Sequence, residues 1–135
     1  VSFFQGDAEK LPVDDESVDI YCISFGMRNV TNPDQALREA MRVLKKGGRF
    51  MMLEFGHVDN PAISQAYDMF SFNIIPAMGS VVASDRESYK YLVESIRKFP
   101  GQEAFSGMMV NAGFGAVTYT NYTFGVVAEY SGFKL

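Results

Sequence analysis

Three short polar clusters are where this sequence can do chemistry: Gly6-Asp7-Ala8-Glu9-Lys10-Leu11-Pro12, Ser24-Phe25-Gly26-Met27-Arg28-Asn29 and Glu54-Phe55-Gly56-His57. A carboxylate such as Asp7 accepts hydrogen bonds from an amine. Arg28 stays protonated, so it suits holding negative charge rather than abstracting a proton. His57 is the only histidine and invites a general-base reading. Nothing ties it to a nucleophile, however, and a surface turn accounts for it better. The run Cys22-Ile23-Ser24-Phe25-Gly26 lacks the leading glycine of a nucleophile elbow. No His, Cys and carboxylate spacing points to a metal.

The elements between these clusters alternate. Residues 19–25 are a nearly continuous apolar run, as expected of a strand buried on both faces of a parallel sheet. Cys22 lies within it and reads as a small buried hydrophobe. Asn32-Pro33 opens a helix, with Asn32 as cap, Pro33 at the first helical position and Gln35 as capping-box partner. Ala36, Leu37, Ala40, Met41 and Leu44 form its apolar stripe, and Gly47-Gly48 should stop it. Residues 49–55 form a second buried strand, completing a βαβ unit.

From residue 59 to 99 the pattern is helical, with Pro76 and Gly79 as expected interruptions. A new helix should start at Ser84 through the capping box Ser84-Asp85-Arg86-Glu87, with Glu94 and Lys98 as an i,i+4 pair. A further helix carries Phe105, Met108, Met109 and Ala112 on one face and ends at Gly113. Residues 116–121 and 125–130 read as an antiparallel hairpin turning at Thr123-Phe124-Gly125. The expectation is one partial α/β domain over residues 1–135. Ligands of open α/β sheets bind beyond the carboxyl ends of the strands, where the three polar clusters fall.

Composition excludes several classes. Hydrophobic residues make up 47% of 135, enough for a core, and the net charge of -4 argues against a nucleic-acid partner. The basic residues between Arg38 and Arg49 alternate with apolar ones, as on a solvated helix face. One cysteine rules out a disulfide framework and fits a reducing compartment. The most apolar stretch, residues 69–83, is broken by Asn73, Pro76 and Gly79, so it does not read as a membrane span. The chain begins at Val1, close to a strand end, and reads as a piece of something longer.

Several strings resemble the ubiquinone/menaquinone-biosynthesis C-methyltransferase family. They are Gly6-Asp7-Ala8, Ser24-Phe25-Gly26-Met27-Arg28-Asn29-Val30-Thr31, the run from Arg42 through Lys46-Gly47-Gly48 to Glu54, Ser88-Tyr89-Lys90-Tyr91-Leu92-Val93-Glu94-Ser95-Ile96-Arg97, and the tail from Gly125 to Leu135. The tail looks more like mitochondrial members than bacterial ones. Lys46 and Gly56 depart locally from the family's usual Pro and Ser. The family's Gly-rich first turn, the acidic residue ending its second strand and its N-terminal substrate-facing segment are not in this chain.

The resemblance implies the C-terminal half of a class I, Rossmann-like methyltransferase fold, with parallel strands, a helical insertion, a terminal antiparallel hairpin and the first strands missing. It implies S-adenosyl-L-methionine as cofactor, contacted by Asp7, Ala8 and Ser24, and a polyprenyl-methoxy-benzoquinol as substrate. Arg28 would stabilise the oxyanion of the quinol, directly or through a water, with Asn29 orienting the water or a quinol oxygen. A salt bridge from Arg28 to a carboxylate such as Glu54 is the structural alternative, and the two are compatible. Tyr67, Phe70, Phe72, Ile74, Ile75 and Met78 make an apolar insertion that reads first as core. Tyr67 and Phe70 are the substrate candidates in it, walling a prenyl tunnel or resting on a membrane.

The resemblance also implies a homodimer, a ubiquinone-biosynthesis complex, and peripheral placement on the matrix side of the mitochondrial inner membrane. The rival readings are a methyltransferase for another small molecule, a non-catalytic half-domain that self-associates through an exposed sheet edge and, more distantly, a nicotinamide-dependent oxidoreductase.

Overall fold

The computed structural model describes residues 1–78 and 85–135. Four strands form one sheet in the order β1-β2-β4-β3: β1 Val18–Ser24, β2 Leu44–Phe55, β3 Gly115–Tyr122 and β4 Val127–Phe133. β1 and β2 run parallel, while β4 lies antiparallel between β2 and β3.

The crossover from β1 to β2 carries α1, Pro33–Val43. Asn32 caps it by accepting the Gln35 N–H at 3.1 Å, with Pro33 at the first helical position. The capping box does not close. Gln35 instead donates from its side chain to the Glu9 carbonyl at 3.2 Å, and the Glu9 carboxylate takes the Asn32 N–H at 2.8 Å. Those two bonds pin the first polar cluster against the start of α1.

Gly47-Gly48 does not stop this helix. The helix ends at Val43, and β2 begins at once at Leu44, five residues before the expected start at Arg49. The pairing register jumps from Val18↔Leu44 to Ile20↔Arg49, so residues 45–48 bulge. Gly47 takes φ +79° there, a conformation open to glycine at little cost.

Both α1 and α5, Gln102–Asn111, cover the same sheet face. Leu37, Ala40, Phe50, Met52, Phe105, Met109 and Tyr130 meet in one cluster beneath them. On the opposite face Met51 and Leu53 are half-buried, Cys22 is exposed and Ile20 is 61% exposed. This corrects two expectations. β1 is not buried on both faces, and Cys22 is not a core residue, because it alternates onto the side that no helix among the described residues covers. β1 is also one of the two edge strands of the sheet, β3 being the other.

Within the insertion, α2 Pro61–Met69 passes through a π-helical turn, Phe70–Ile74, into α3 Ile75–Met78. Pro76 was expected to break the helix and sits buried inside it. Proline lacks an N–H and crowds the carbonyl four residues back, and the wider π turn just before it relieves both problems. Gly79 and Ser84 lie outside the described residues. Helix α4, Arg86–Lys98, is capped by Asp85, whose carboxylate accepts the Ser88 N–H at 3.0 Å, one residue later than the expected cap. Glu94 meets Lys90 at 3.9 Å rather than Lys98.

The hairpin between β3 and β4 turns through Thr123, Phe124 and Gly125 at φ +49°, +59° and +92°. Among the described residues, no helix is long and apolar enough to cross a membrane.

Candidate active site

The chain leaves β1 through a tight turn. Phe25 takes φ +52°, a strained value for a bulky residue, and its N–H bonds the Leu53 carbonyl at 2.8 Å. A 3-10 turn, Met27–Asn29, follows, with Met27 buried as its apolar peg. Together they swing Arg28 back toward the end of β2. There Glu54 is 0% exposed, and its carboxylate accepts Arg28 Nη1 at 2.9 Å and the Phe55 N–H at 2.9 Å. The Arg28 N–H reaches its other oxygen at 3.3 Å. Nη1 also donates to the Phe25 carbonyl at 2.6 Å, and the guanidinium lies over the Phe55 ring, 5.4 Å from its centroid.

One nitrogen of Arg28 is therefore spent on holding the side chain still. The Nε and Nη2 N–H groups have no acceptor among the described residues, and Nε is enclosed. Enclosed donors without a partner are costly, so this edge is set to receive an oxygen, anionic or from a water. Beside it, Tyr91 on α4 donates its hydroxyl to Asn29 Oδ1 at 3.1 Å. That occupies Asn29 Oδ1 and leaves its NH₂ as the group with hydrogens to donate. Arg28 Nε and Nη2 and the Asn29 amide nitrogen are thus left as donors only, the arrangement that favours an oxyanion.

The Glu54 carboxylate also acts on Tyr130. Burial first, and Glu54 second, push the Tyr130 phenol far above its ordinary value, so it stays protonated and takes no part in acid–base chemistry at neutral pH.

The first cluster sits at the same end of the sheet. Asp7 is exposed, and its Oδ1 takes the Glu9 N–H at 2.9 Å. Ala8 packs against the core while its N–H has no acceptor among the described residues. A carboxylate beside a free amide matches the edge of an adenine, which offers an exocyclic amine and ring-nitrogen acceptors. Ser24 ends β1 on the uncovered face with its hydroxyl unpaired. These groups fit a nucleoside-bearing cofactor.

The two substrate candidates part company. Tyr67 lines a cavity with Phe55, Ser71 and Ile96, whereas Phe70 is 44% exposed and outside that lining. His57 is half-buried, with Nε2 3.3 Å from the Ile96 carbonyl. Its backbone is tied to Gln102, which accepts the His57 N–H at 3.1 Å and returns a bond to the His57 carbonyl at 2.9 Å. The same Gln102 amide reaches Asn121 Oδ1 at 3.0 Å, so it knots the end of β2 to the hairpin. Sequence reasoning missed Gln102 and Tyr91. Each acts on a residue 45 or 62 positions away, with no local pattern to announce it.

The fold is that of S-adenosylmethionine-dependent methyltransferases. A SAM-dependent methyltransferase from Thermotoga maritima superposes with a TM-score of 0.70 at 21% identity, over 98% of this chain and 63% of that one. One from Aquifex aeolicus gives 0.62 at 12% identity, over 99% and 55%.

The sequence narrows the class. The model of the ubiE/COQ5 methyltransferase family matches residues 1–134, and the chain belongs to that family. It is 63% identical over 130 residues to the Mus musculus protein named 2-methoxy-6-polyprenyl-1,4-benzoquinol methylase, mitochondrial, covering 96% of this chain and 40% of that protein. The proteins of the same name from Xenopus laevis and Dictyostelium discoideum are 58% and 57% identical over all 135 residues, covering 44% and 43% of their lengths. The chain thus spans less than half the length of these curated relatives.

Proposed function

We propose that the polypeptide carrying this segment transfers a methyl group from S-adenosyl-L-methionine to a ring carbon of a 2-methoxy-polyprenyl-benzoquinol in ubiquinone biosynthesis. The observation that carries the reading is the Arg28 guanidinium, clamped by buried Glu54 with two donors left free beside Asn29. Asp7, Ala8 and Ser24 would hold the cofactor, which when bound supplies an electrophilic sulfonium methyl.

Carbon is a poor nucleophile unless the ring is electron-rich, and a quinol oxygen carrying negative charge makes it so. Arg28 lowers the energy of that charge through Nε and Nη2, directly or through a water, and Asn29 adds a donor alongside. Arg28 cannot itself take the proton, because it stays charged. The quinol hydroxyl proton leaves to solvent before transfer and the ring C–H proton leaves to solvent after it, restoring the aromatic ring, while the carbon–sulfur bond breaks and its electron pair departs with S-adenosylhomocysteine. Phe25 and Phe55, with ring centroids 4.8 Å apart, give the quinol ring an apolar wall.

Homodimerisation, membership of a ubiquinone-biosynthesis complex, and a peripheral place on the matrix side of the mitochondrial inner membrane belong to the same proposal. The relatives' mitochondrial names support the compartment. Exposed Met69, Phe70, Ile74 and Met78 support a lipid contact, and the uncovered β1 edge supports association.

The test is a full-length chimera in which this segment replaces the matching part of the mouse relative. It should methylate a short-tailed methoxy-quinol, and Arg28→Lys should lower kcat at least tenfold, because an ammonium cannot reproduce the planar fork. Near-normal turnover by Arg28→Lys or Arg28→Ala would refute the oxyanion role. Separately, calorimetric titration of the 135-residue chain with S-adenosylhomocysteine shows whether its own residues hold the cofactor, with micromolar binding as the positive result.

A further inference from the structure

One buried polar group is used by nothing described so far. Ser71 is 2% exposed, and its hydroxyl has no hydrogen-bond partner among the described residues. It sits in the π turn that Pro76 imposes, and such turns re-aim side chains and recur at functional sites. It lines a cavity of about 60 Å³ whose other walls include Phe55, Tyr67, Ile75, Val93 and Ile96.

A buried hydroxyl without a partner is unfavourable, and water is a poor remedy here. A stable internal water wants two to four polar partners, and this lining is almost wholly apolar. Besides Ser71 itself, the polar groups among the lining residues are the Tyr67 phenol and Arg97, which is paired with Asp68 and lies over the Tyr67 and Phe72 rings. The volume exceeds the roughly 10–15 Å³ that one water needs and is too small for a ring. What suits it is a small apolar group bearing one acceptor and no donor.

The cavity also borders the reaction site. Phe55 is shared, lining the cavity while the Arg28 guanidinium lies over its ring.

We infer that this cavity is the subsite for the aryl methoxy group of the quinol, with Ser71 donating its hydroxyl hydrogen to the ether oxygen. The inference rests on the quinol reading above and adds to it the residue that selects a methoxylated ring. The methyl of the ether fills the apolar space, and the oxygen satisfies the stranded donor.

The experiment compares methoxy and desmethoxy short-tailed quinols on the full-length chimera, with and without Ser71→Ala. One neutral hydrogen bond predicts that the ratio of kcat/KM values, methoxy over desmethoxy, falls about three- to tenfold in Ser71→Ala. Ser71→Leu, which fills the space, should raise KM for the methoxy substrate more than for its desmethoxy analogue. A ratio unmoved by both substitutions overturns the subsite while leaving the quinol reading intact. Failure of the unsubstituted chimera to turn over either quinol sinks both.

Thermal unfolding of the chain gives a readout free of activity. Ser71→Ala should unfold at the same temperature or higher, since it removes an unsatisfied group. A drop of several degrees would show that the hydroxyl already has a partner inside the protein, and would overturn the assignment.

Discussion

Replacing Arg28 by methionine tests the clamp as a stability element, independently of any substrate. The substitution keeps a flexible apolar stem and removes the charge. Glu54 is left at 0% exposure, retaining only the Phe55 N–H at 2.9 Å and the Arg28 N–H at 3.3 Å. A buried ion pair broken on one side costs about 3–5 kcal/mol, because the surviving charge stays desolvated and uncompensated. Arg28 is itself 11% exposed, so screening trims this toward the lower end. For a chain of this size each kcal/mol moves the unfolding midpoint by roughly 3–5 °C. Arg28→Met should therefore lower the Tm by about 10–15 °C, read by circular dichroism.

The double variant Arg28→Met with Glu54→Leu removes both charges and should recover most of that loss, since apolar replacement of a whole buried pair is commonly near neutral. A Tm change of less than about 2 °C in Arg28→Met, or no recovery in the double variant, would refute the claim that Glu54 is held in place by Arg28.

Other outcomes follow from single contacts. Tyr91→Phe removes the hydroxyl that fixes Asn29; in the full-length chimera kcat should fall severalfold with KM and Tm nearly unmoved, and no further loss should appear in an Asn29→Ala background. Asn32→Ala deletes the α1 cap and should cost about 1 kcal/mol in denaturant unfolding. Gly56→Ala would put a Cβ 2.6 Å from the Gly125 carbonyl and 2.7 Å from Gln102 Nε2, so it should destabilise by about 1–3 kcal/mol through forced displacement of the hairpin turn.

Acid stability should depend on Glu39. The hydrogen bond from Arg42, first, and the Leu11 N–H hold its carboxyl below the ordinary 4.5. A depressed folded value means that the stabilisation is complete above the ordinary value and disappears as pH falls through the depressed one. In Arg42→Gln the acid-unfolding midpoint should rise toward pH 4.5, while an unchanged midpoint would contradict the linkage.

What the sequence made legible and what it hid divide along a physical line. Elements set by local pattern were readable: the Asn32-Pro33 cap, the stripe of Ala36, Leu37 and Ala40, and the hairpin at residues 123–125 are encoded within a few positions of where they act. The Arg28–Glu54 pair was also in reach, because Arg28 follows the end of β1 and Glu54 lies in the last residues of the neighbouring β2. The burial of β1 was misread because an apolar run shows that a strand wants covering, not that this chain covers it. Gly47-Gly48 was misread because two glycines permit a bulge as readily as a helix stop, and only the pairing with β1 decides. Gln102, Tyr91 and Ser71 left no local trace, since each draws its role from what tertiary packing sets beside it.

The misreading of β1 bears on the site itself. Arg28, Asn29 and Glu54 are braced by elements of this chain alone: the Phe25 turn, the end of β2 and the Tyr91 hydroxyl of α4. Ser24 and Cys22 lie at the uncovered face, and Asp7 presents its carboxylate to solvent. The donors proposed to face the substrate are thus braced within the described residues, while the groups proposed to hold the cofactor stand on an open side. The chain spans about 40% of the length of its mouse relative. Grafting it into that relative should accordingly tighten S-adenosylhomocysteine binding well beyond that of the isolated chain, while the Tm penalty of Arg28→Met should be similar in both settings. Equal affinity in the two would mean that Asp7, Ala8 and Ser24 already make up the whole cofactor contact, and that the open face has no part in it.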